Sequence, residues 1–358
     1  MAVRPRAVDI FTEETHEAMK KIYVAPSASR KDGYPNRYVP LLKKELARYF
    51  EVLEADDRPC LMQGLSLLVN SFKADVFLLS FVETIAFHKL AFIQYLMARL
   101  ALRIMKLRRR RIVFIFHNPR PHKGENHMSR ELTRMQLLLS SAVVSHSGET
   151  AGIARAMLSR LGGDPSKVVY ACHPMVVSED SPAEPDIPPV RDALVWGRIL
   201  PYKGVEEFVS DPSVREAGLS VLIVGRCDDP GLAARIEDAV ARPSATRFVF
   251  ENRAAGFDEL RQLVRSSAHV VFPYIPGSIS GSGVLMDTIA MGGTPVGPST
   301  GAFLDLNREG VCDVYGSYGE LVSVLRHGRK IPAGELRAFA QANSWPSFAR
   351  LLSGLCNG

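Results

Sequence analysis

The chain has 358 residues, a formal net charge of +6, and 46% hydrophobic and 23% charged residues. This length exceeds what one hydrophobic core usually accommodates, so two domains are expected, and the composition excludes a fibrous or wholly disordered protein. The five cysteines are scattered without a CxxC pair, which argues against a zinc ribbon or a thioredoxin-like site and fits a reducing cytoplasm. The positive charge favours anionic partners such as phosphates or acidic lipids.

Residues 1–20 form an N-terminal extension with charges throughout and no apolar core, unlike a secretory signal. The most apolar stretch, Leu90 to Leu107, is interrupted by one glutamine and three cations. A membrane span needs about 20 predominantly apolar residues, so this stretch is not expected to cross a bilayer.

From residue 21 to residue 177, short apolar runs alternate with segments of helical periodicity, which predicts an N-terminal Rossmann-like domain. Its predicted strands are Lys21–Ala25, Ala74–Leu79, Arg111–Phe116, Ala142–Ser145 and Lys167–Ala171. Its clearest predicted helices are Tyr38–Tyr49 and Ser129–Ser140.

Polar residues that follow these strands are candidates for a site, because the carboxyl ends of parallel strands meet at one edge of a sheet. The string from Phe116 to His122 ends an apolar strand and supplies His117, Asn118, Arg120 and His122. The loop after the first strand offers possible acceptor contacts at Asp32, Tyr34 and Asn36. Glu83 follows the second strand and is either a general base for an acceptor hydroxyl or a carboxylate that stabilises a helix N-terminus.

Residues 178–190 contain four prolines and four carboxylates, which predicts an inter-domain linker. A second alternating series over residues 191–332 predicts a C-terminal Rossmann-like domain, and residues 333–358 a helical tail. The predicted strands of this domain are Ala193–Gly197, Leu219–Val224, Thr246–Phe250, His269–Phe272 and Thr294–Val296. The predicted helices are Val205–Val209, Gly231–Ala241, Phe257–Ser266 and Gly283–Met291.

Two motifs in the second domain suit a phosphorylated ligand. Arg198 and Lys203 lie five residues apart on a turn after the first strand, just before Gly204, and their cations can converge on one diphosphate. The alternative is a solvated basic turn. Further along, the Gly/Ser-rich segment from Pro276 to Gly283 opens a helix, and unpaired amides at a helix N-terminus form an anion site.

The order GR-x4-KG, a Gly-rich helix start and then GGTPV resembles the donor-binding half of GT-B glycosyltransferases, particularly family 4 and related bacterial exopolysaccharide and capsule enzymes. The resemblance covers residues 193–301 and is looser in the N-terminal half. It implies an α/β fold with two doubly wound domains facing a central cleft. The donor-binding residues that it implies are Arg198, Lys203, Gly204, Ser280, Gly281, Ser282 and Gly283.

The chain departs from this family at two positions. The glutamates of the family's Glu-x7-Glu pair fall on Ser280 and Thr288, so the sugar and the stereochemical outcome stay open. Asp287 is a candidate substitute for the ribose contact. In the first domain, His117 begins a string similar to the HNxxPH segment of some bacterial exopolysaccharide glycosyltransferases, where the histidine lies beside the donor sugar.

The expected activity is hexosyl transfer from a UDP-, GDP- or similar nucleotide sugar to a glycan or polyprenyl-diphosphate-linked acceptor, without cofactor or essential metal. The alternatives are a sugar-nucleotide epimerase or phosphorylase of the same fold, or a degenerate, non-catalytic scaffold. The basic segment Lys89–Arg111 fits either an anionic membrane surface on the inner face of the plasma membrane or an ordinary helix that covers a sheet. Nucleic acid is not an expected partner, because no aromatic residues interleave with the arginine run.

Overall fold

The protein is described by a computed structural model covering residues 19–25, 38–53, 62–117, 125–177, 187–275 and 282–358. Two six-stranded sheets, each with all its strands parallel, form its framework. The α/β architecture with two doubly wound sheets, predicted from the sequence, is therefore confirmed. The linker predicted at 178–190 lies mostly outside the described residues, so the exact domain boundaries stay a prediction.

The first sheet has the strand order β2-β1-β3-β4-β5-β6. Its strands are β1 (Lys21–Ala25), β2 (Glu51–Val52), β3 (Val76–Ser80), β4 (Arg111–Ile115), β5 (Ala142–Ser145) and β6 (Val168–Tyr170). Its helices are α1 (Tyr38–Leu46), α2 (Gln63–Lys73), α3 (Ala91–Leu107), α4 (His127–Leu139) and α5 (Gly148–Arg160). The central strands are buried on both faces, which explains why each reads as a continuous apolar run.

The second sheet has the order β12-β11-β10-β7-β8-β9, so its direction of winding reverses between β7 and β10. Its strands are β7 (Arg191–Trp196), β8 (Ser220–Val224), β9 (Arg247–Glu251), β10 (Ser267–Val271), β11 (Pro295–Pro298) and β12 (Asp313–Tyr315). The helices that follow them are α6 (Val205–Ser210), α7 (Pro212–Arg215), α8 (Pro230–Ala241), α9 (Phe257–Arg265), α10 (Gly283–Ala290), α11 (Gly301–Arg308) and α12 (Tyr318–His327). In a doubly wound sheet, ligands bind outside the carboxyl ends of the strands at such a reversal.

The last two helices are α13 (Ala333–Ala342) and α14 (Trp345–Asn357). Helix α13 packs on α10 in the second half, whereas α14 returns to the first sheet. There Trp345 and Phe348 share a core with Ile22 and Val24 of β1. The predicted helical tail is thus helical, and its final helix completes the covering of the N-terminal sheet.

Two helix N-termini meet between the halves of the chain. The Gly148 amide at the start of α5 donates to Asp305 Oδ2 of α11 at 2.7 Å, and the Gly301 amide at the start of α11 donates to Glu149 Oε2 at 2.9 Å. Each carboxylate thus compensates the positive end of the opposing helix. Within the described ranges, no helix is long and apolar enough to span a membrane.

Candidate functional site

The turn that carries Arg198 and Lys203 leaves the carboxyl end of β7, at the point where the sheet reverses. Residues Pro201–Lys203 form one turn of 3-10 helix, and Gly204 then adopts φ 62° before α6 begins. A Cβ at Gly204 would lie 2.0 Å from the Pro273 carbonyl oxygen. Only glycine therefore lets this turn pack against the segment that follows β10, and the packing turns Lys203 inward.

Lys203 is a buried cation. Its side chain is 7% exposed, and its Nζ atom lies 5.4 Å from the centre of the Tyr274 ring. Burial lowers the pKa of this ammonium from 10.5 to about 8, and no carboxylate among the described residues lies within ion-pair distance. A buried charge without a counter-ion is costly, so a lysine held in this way is suited to receive an anionic ligand.

Arg198 is half-exposed and already oriented. Its Nη2 atom lies 2.9 Å from Asp228 Oδ2, while Arg226 Nε lies 2.6 Å from Asp228 Oδ1. The hydrogen bond from Arg226, followed by the charges of both arginines, lowers the pKa of the Asp228 carboxyl. One carboxylate thus holds two guanidinium groups beside the same turn.

These groups surround a cavity of about 510 Å³. Trp196, Tyr202 and Leu260 give it apolar walls, while Arg198, Arg226, Arg253 and Lys203 supply cations. Arg253 is oriented in turn by Glu251 and Glu259. A pocket with apolar and aromatic walls and a few convergent polar groups is typical of a small-molecule site, and this charge suits an anion attached to a flat ring.

Among the cavity residues that were not predicted as site residues are Trp196, Tyr202, Arg226 and Arg253. The sequence contains a signal for the two arginines, because one residue separates each of them from the end of a parallel strand, β8 or β9. At Gly225 a Cβ would lie 2.0 Å from the Gly197 carbonyl oxygen, so that glycine lets the ends of β7 and β8 approach.

The predicted Gly/Ser segment is described only from Ser282 onward, so Ser280 and Gly281 lie outside the described residues. Ser282 is the N-cap of α10, and its hydroxyl accepts from the Leu285 amide at 3.4 Å. Gly283 opens the helix, and the next residue, Val284, lines the cavity. The start of α10 therefore faces the basic turn.

At the second departure from the family pattern, Thr288 is fully buried. The Trp196 indole Nε1–H donates to Thr288 Oγ1 at 2.9 Å, and that hydroxyl donates to the Val284 carbonyl at 2.8 Å. Asp287 beside it is half-buried and engaged with a neighbouring group. Thr288 therefore anchors the cavity's tryptophan wall.

His117 lies one residue beyond the carboxyl end of β4 and belongs to a buried aromatic cluster. Its Nε2 atom lies 2.8 Å from Ser80 Oγ, and its ring stacks on Phe81 at 4.2 Å between centres. Burial, followed by the nearby His146 and His173, lowers the pKa of His117 well below 6.5. The ring is therefore neutral near pH 7 and suited to hydrogen bonding.

Tyr38 stands at the centre of this cluster, with ring contacts to His117, His146, His173 and Trp345. His146 Nδ1 donates to the Ala171 carbonyl at 2.9 Å, so its Nε2 accepts the Tyr38 hydroxyl at 2.8 Å. Burial lowers the pKa of His146 to about 3 and that of His173 to about 4. Neither Tyr38 nor His146 was predicted from the sequence.

Glu83 lies in a turn of 3-10 helix after β3, half-buried and hydrogen-bonded to the Gln136 side chain of α4. Burial raises the pKa of its carboxyl to about 6. A carboxylate with a raised pKa is a stronger base than an ordinary one, which suits the role of general base. That role of Glu83 stays a prediction. The other predicted contacts lie outside the described residues: Asp32, Tyr34, Asn36, Asn118, Arg120 and His122.

Comparison with known proteins gives fold relatives only. No family model matches the chain, and no curated protein matches it. The Anabaena protein HepE in complex with UDP-glucose shares 12% identity with a TM-score of 0.60, over 94% of this chain and 98% of HepE. An Escherichia coli trehalose-6-phosphate structure, bound with UDP-2-fluoro glucose, shares 10% identity with a TM-score of 0.64, over 94% and 99%.

The lipopolysaccharide outer core galactosyltransferase WaaB in its apo form shares 10% identity with a TM-score of 0.60, over 94% and 99% of the two chains. These likenesses extend over both halves of each molecule. The chain therefore has the two-domain GT-B fold that the sequence predicted.

Proposed function

We propose that the chain is a nucleotide-sugar-dependent glycosyltransferase, related to family 4, that transfers a hexosyl group from a nucleoside-diphosphate sugar to a glycan. The observation that carries this proposal is Lys203, a buried cation without a carboxylate partner in the described part of the chain, beside Arg198 in a cavity of about 510 Å³. Such a cavity suits a nucleoside diphosphate. Two of these fold relatives were solved with UDP-glucose or UDP-2-fluoro glucose, so UDP sugars are the first donors to test.

In this proposal the bond between the anomeric carbon and the diphosphate breaks while an acceptor oxygen bonds to that carbon. Arg198 and Lys203 stabilise the negative charge that develops on the departing diphosphate, and the amides at the start of α10 assist. The neutral His117 hydrogen-bonds the donor sugar. Glu83 takes the proton of the acceptor hydroxyl. The cations supply the charge that a metal would otherwise provide, so we propose a reaction without metal or cofactor.

The acceptor that we propose is a polyprenyl-diphosphate-linked glycan of bacterial polysaccharide synthesis, reached from the inner face of the plasma membrane. The basic segment Lys89–Arg111, which contains α3, supports this, because anionic headgroups attract clustered lysines and arginines.

The test has two stages. Thermal unfolding with a panel of nucleotides and nucleotide sugars should show stabilisation by one nucleoside diphosphate, since a ligand of the native state raises its stability by mass action. The selected nucleotide sugar is then incubated with lipid-linked and free glycans, and products are separated. Free nucleoside diphosphate with an extended glycan supports the proposal. An epimerised nucleotide sugar indicates the epimerase alternative, and binding without turnover indicates a scaffold.

A further inference from the structure

The outer face of α3 carries an unusual number of exposed apolar side chains. The inner face, including Tyr95, Ala98 and Leu102, packs into the N-terminal core. The apolar residues on the outer side are Leu90 (65% exposed), Phe92 (63%), Ile93 (49%), Leu96 (46%), Leu100 (50%) and Leu107 (84%). Contiguous apolar groups on a protein surface mark an interaction site, whereas single exposed leucines do not.

These side chains form one stripe bordered by cations. At about 100° per residue, Phe92, Leu96, Ile93, Leu100 and Leu107 fall within an arc of about 100°. On the same scale, Arg99, Arg103 and Lys106 fall along one edge of this arc, within about 60° of each other. The arrangement places an apolar strip against a row of positive charge.

The chain segment that carries this stripe has charges of one sign. No aspartate or glutamate occurs between residues 84 and 124, whereas eight lysines and arginines occur from Lys89 to Arg111. Three of the last four arginines contact other parts of the first domain or α14: Arg108 donates to the Phe72 carbonyl at 2.8 Å, Arg110 pairs with Asp75 at 2.7 Å, and Arg111 donates to the Leu355 carbonyl. The exposed cations on the flank of the stripe are Arg103 and Lys106, and Lys89 and Arg109 are exposed at the two ends of the helix.

We infer that the outer face of α3 docks on an anionic lipid bilayer and inserts its apolar stripe into the headgroup region. A helix with an apolar face and a basic flank lies in the plane of the interface, with the apolar side chains about 5–10 Å deep. The positive charge that this segment carries complements acidic lipids. This inference deepens the membrane location in the proposed function by naming the contact surface on the first domain, and vesicle binding tests it separately from the transfer reaction.

The central experiment is co-sedimentation with phosphatidylcholine vesicles that contain or lack phosphatidylglycerol. The variant Phe92→Gln/Leu96→Gln/Leu100→Gln should lose at least about tenfold in affinity for the anionic vesicles, because each buried apolar side chain contributes to insertion. All three positions are exposed, so the fold should tolerate the change. The matched control is Val249→Thr/Phe257→Gln, at exposed apolar positions of the other half, which should bind like wild type.

A second variant separates charge from insertion. Arg103→Gln/Lys106→Gln should weaken binding by about fivefold for each cation removed, and added salt should reduce the difference. Its control, Arg160→Gln/Arg242→Gln, removes two exposed cations elsewhere and should bind like wild type.

Insertion depth has its own readout. In the variant Phe92→Trp, the tryptophan fluorescence should shift to the blue on anionic vesicles and be quenched by brominated lipid. The two native tryptophans, Trp196 and Trp345, are buried and supply a constant background. Absence of wild-type binding to anionic vesicles at low salt would overturn the inference. So would emission from the introduced indole that brominated lipid leaves unquenched. A dimer in solution that the triple glutamine variant dissociates would also overturn it, since the stripe would then be covered by a second copy.

Discussion

The sharpest prediction concerns Lys203→Met, which removes the buried ammonium and keeps much of the side-chain volume. In the unbound protein, burial lowers the pKa of Lys203 from 10.5 to about 8. Since a pKa difference of one unit corresponds to 1.36 kcal/mol, the charged form costs about 3 kcal/mol near pH 7. In the absence of ligand, the free energy of unfolding of the Lys203→Met variant should therefore be roughly 1–3 kcal/mol higher than that of the wild-type protein.

The sign of the pH dependence follows from the same shift. The folded state binds fewer protons than the unfolded state between pH 8 and 10.5, so the penalty is fully present below pH 8 and disappears as pH rises towards 10.5. A bound diphosphate stabilises the charged ammonium and therefore raises the pKa of Lys203 again. Nucleotide affinity should thus fall as pH rises above 8, and Lys203→Met should lose about 1.5–3 kcal/mol of binding free energy at pH 7.

Titration calorimetry in buffers of different ionisation enthalpy checks this reasoning directly. Near pH 8 the wild-type protein should take up part of a proton when a nucleoside diphosphate binds, and Lys203→Met should lose that uptake. The control is Lys44→Met, at an exposed position on α1. This variant should keep the wild-type nucleotide affinity and the wild-type proton uptake. A methionine variant that is less stable without ligand, yet binds nucleotide with wild-type affinity, would show that Lys203 is a structural residue.

Three other outcomes are expected. Stability should fall by about 3 kcal/mol or more between pH 6.5 and 5, because His146 and His173, with His117 beside them, are neutral in the fold and gain protons only when unfolded. Equal free energies of unfolding in urea at both pH values would contradict this. Gly204→Ala should destabilise by more than about 2 kcal/mol, because of φ 62° and the 2.0 Å approach to a carbonyl, and Gly256→Ala, with open space around it, serves as control in thermal unfolding. Asp305→Asn should weaken the contact with the Gly148 amide by about 1 kcal/mol, measured by urea unfolding, and an unchanged value would show that the contact contributes nothing.

The sequence by itself determined the ten principal strands and the two doubly wound sheets. It did so because strands buried on both faces must be apolar throughout, and proline-rich stretches must interrupt them. It missed β2 and β12, which have only two and three residues and lie at sheet edges. The sequence also predicted the Arg198/Lys203 turn, since both residues and Gly204 lie within one short segment.

Only the tertiary structure decided the rest. Tyr38, His117, His146 and His173 are spread along the chain, and they meet because parallel strands deliver their carboxyl ends to one edge. The pairing of Trp196 with Thr288 likewise spans distant residues. For α3 the sequence shows apolar residues on most of the helix surface. Which of them face water depends on which face the sheet and α2 cover, because local periodicity contains no information about that packing partner.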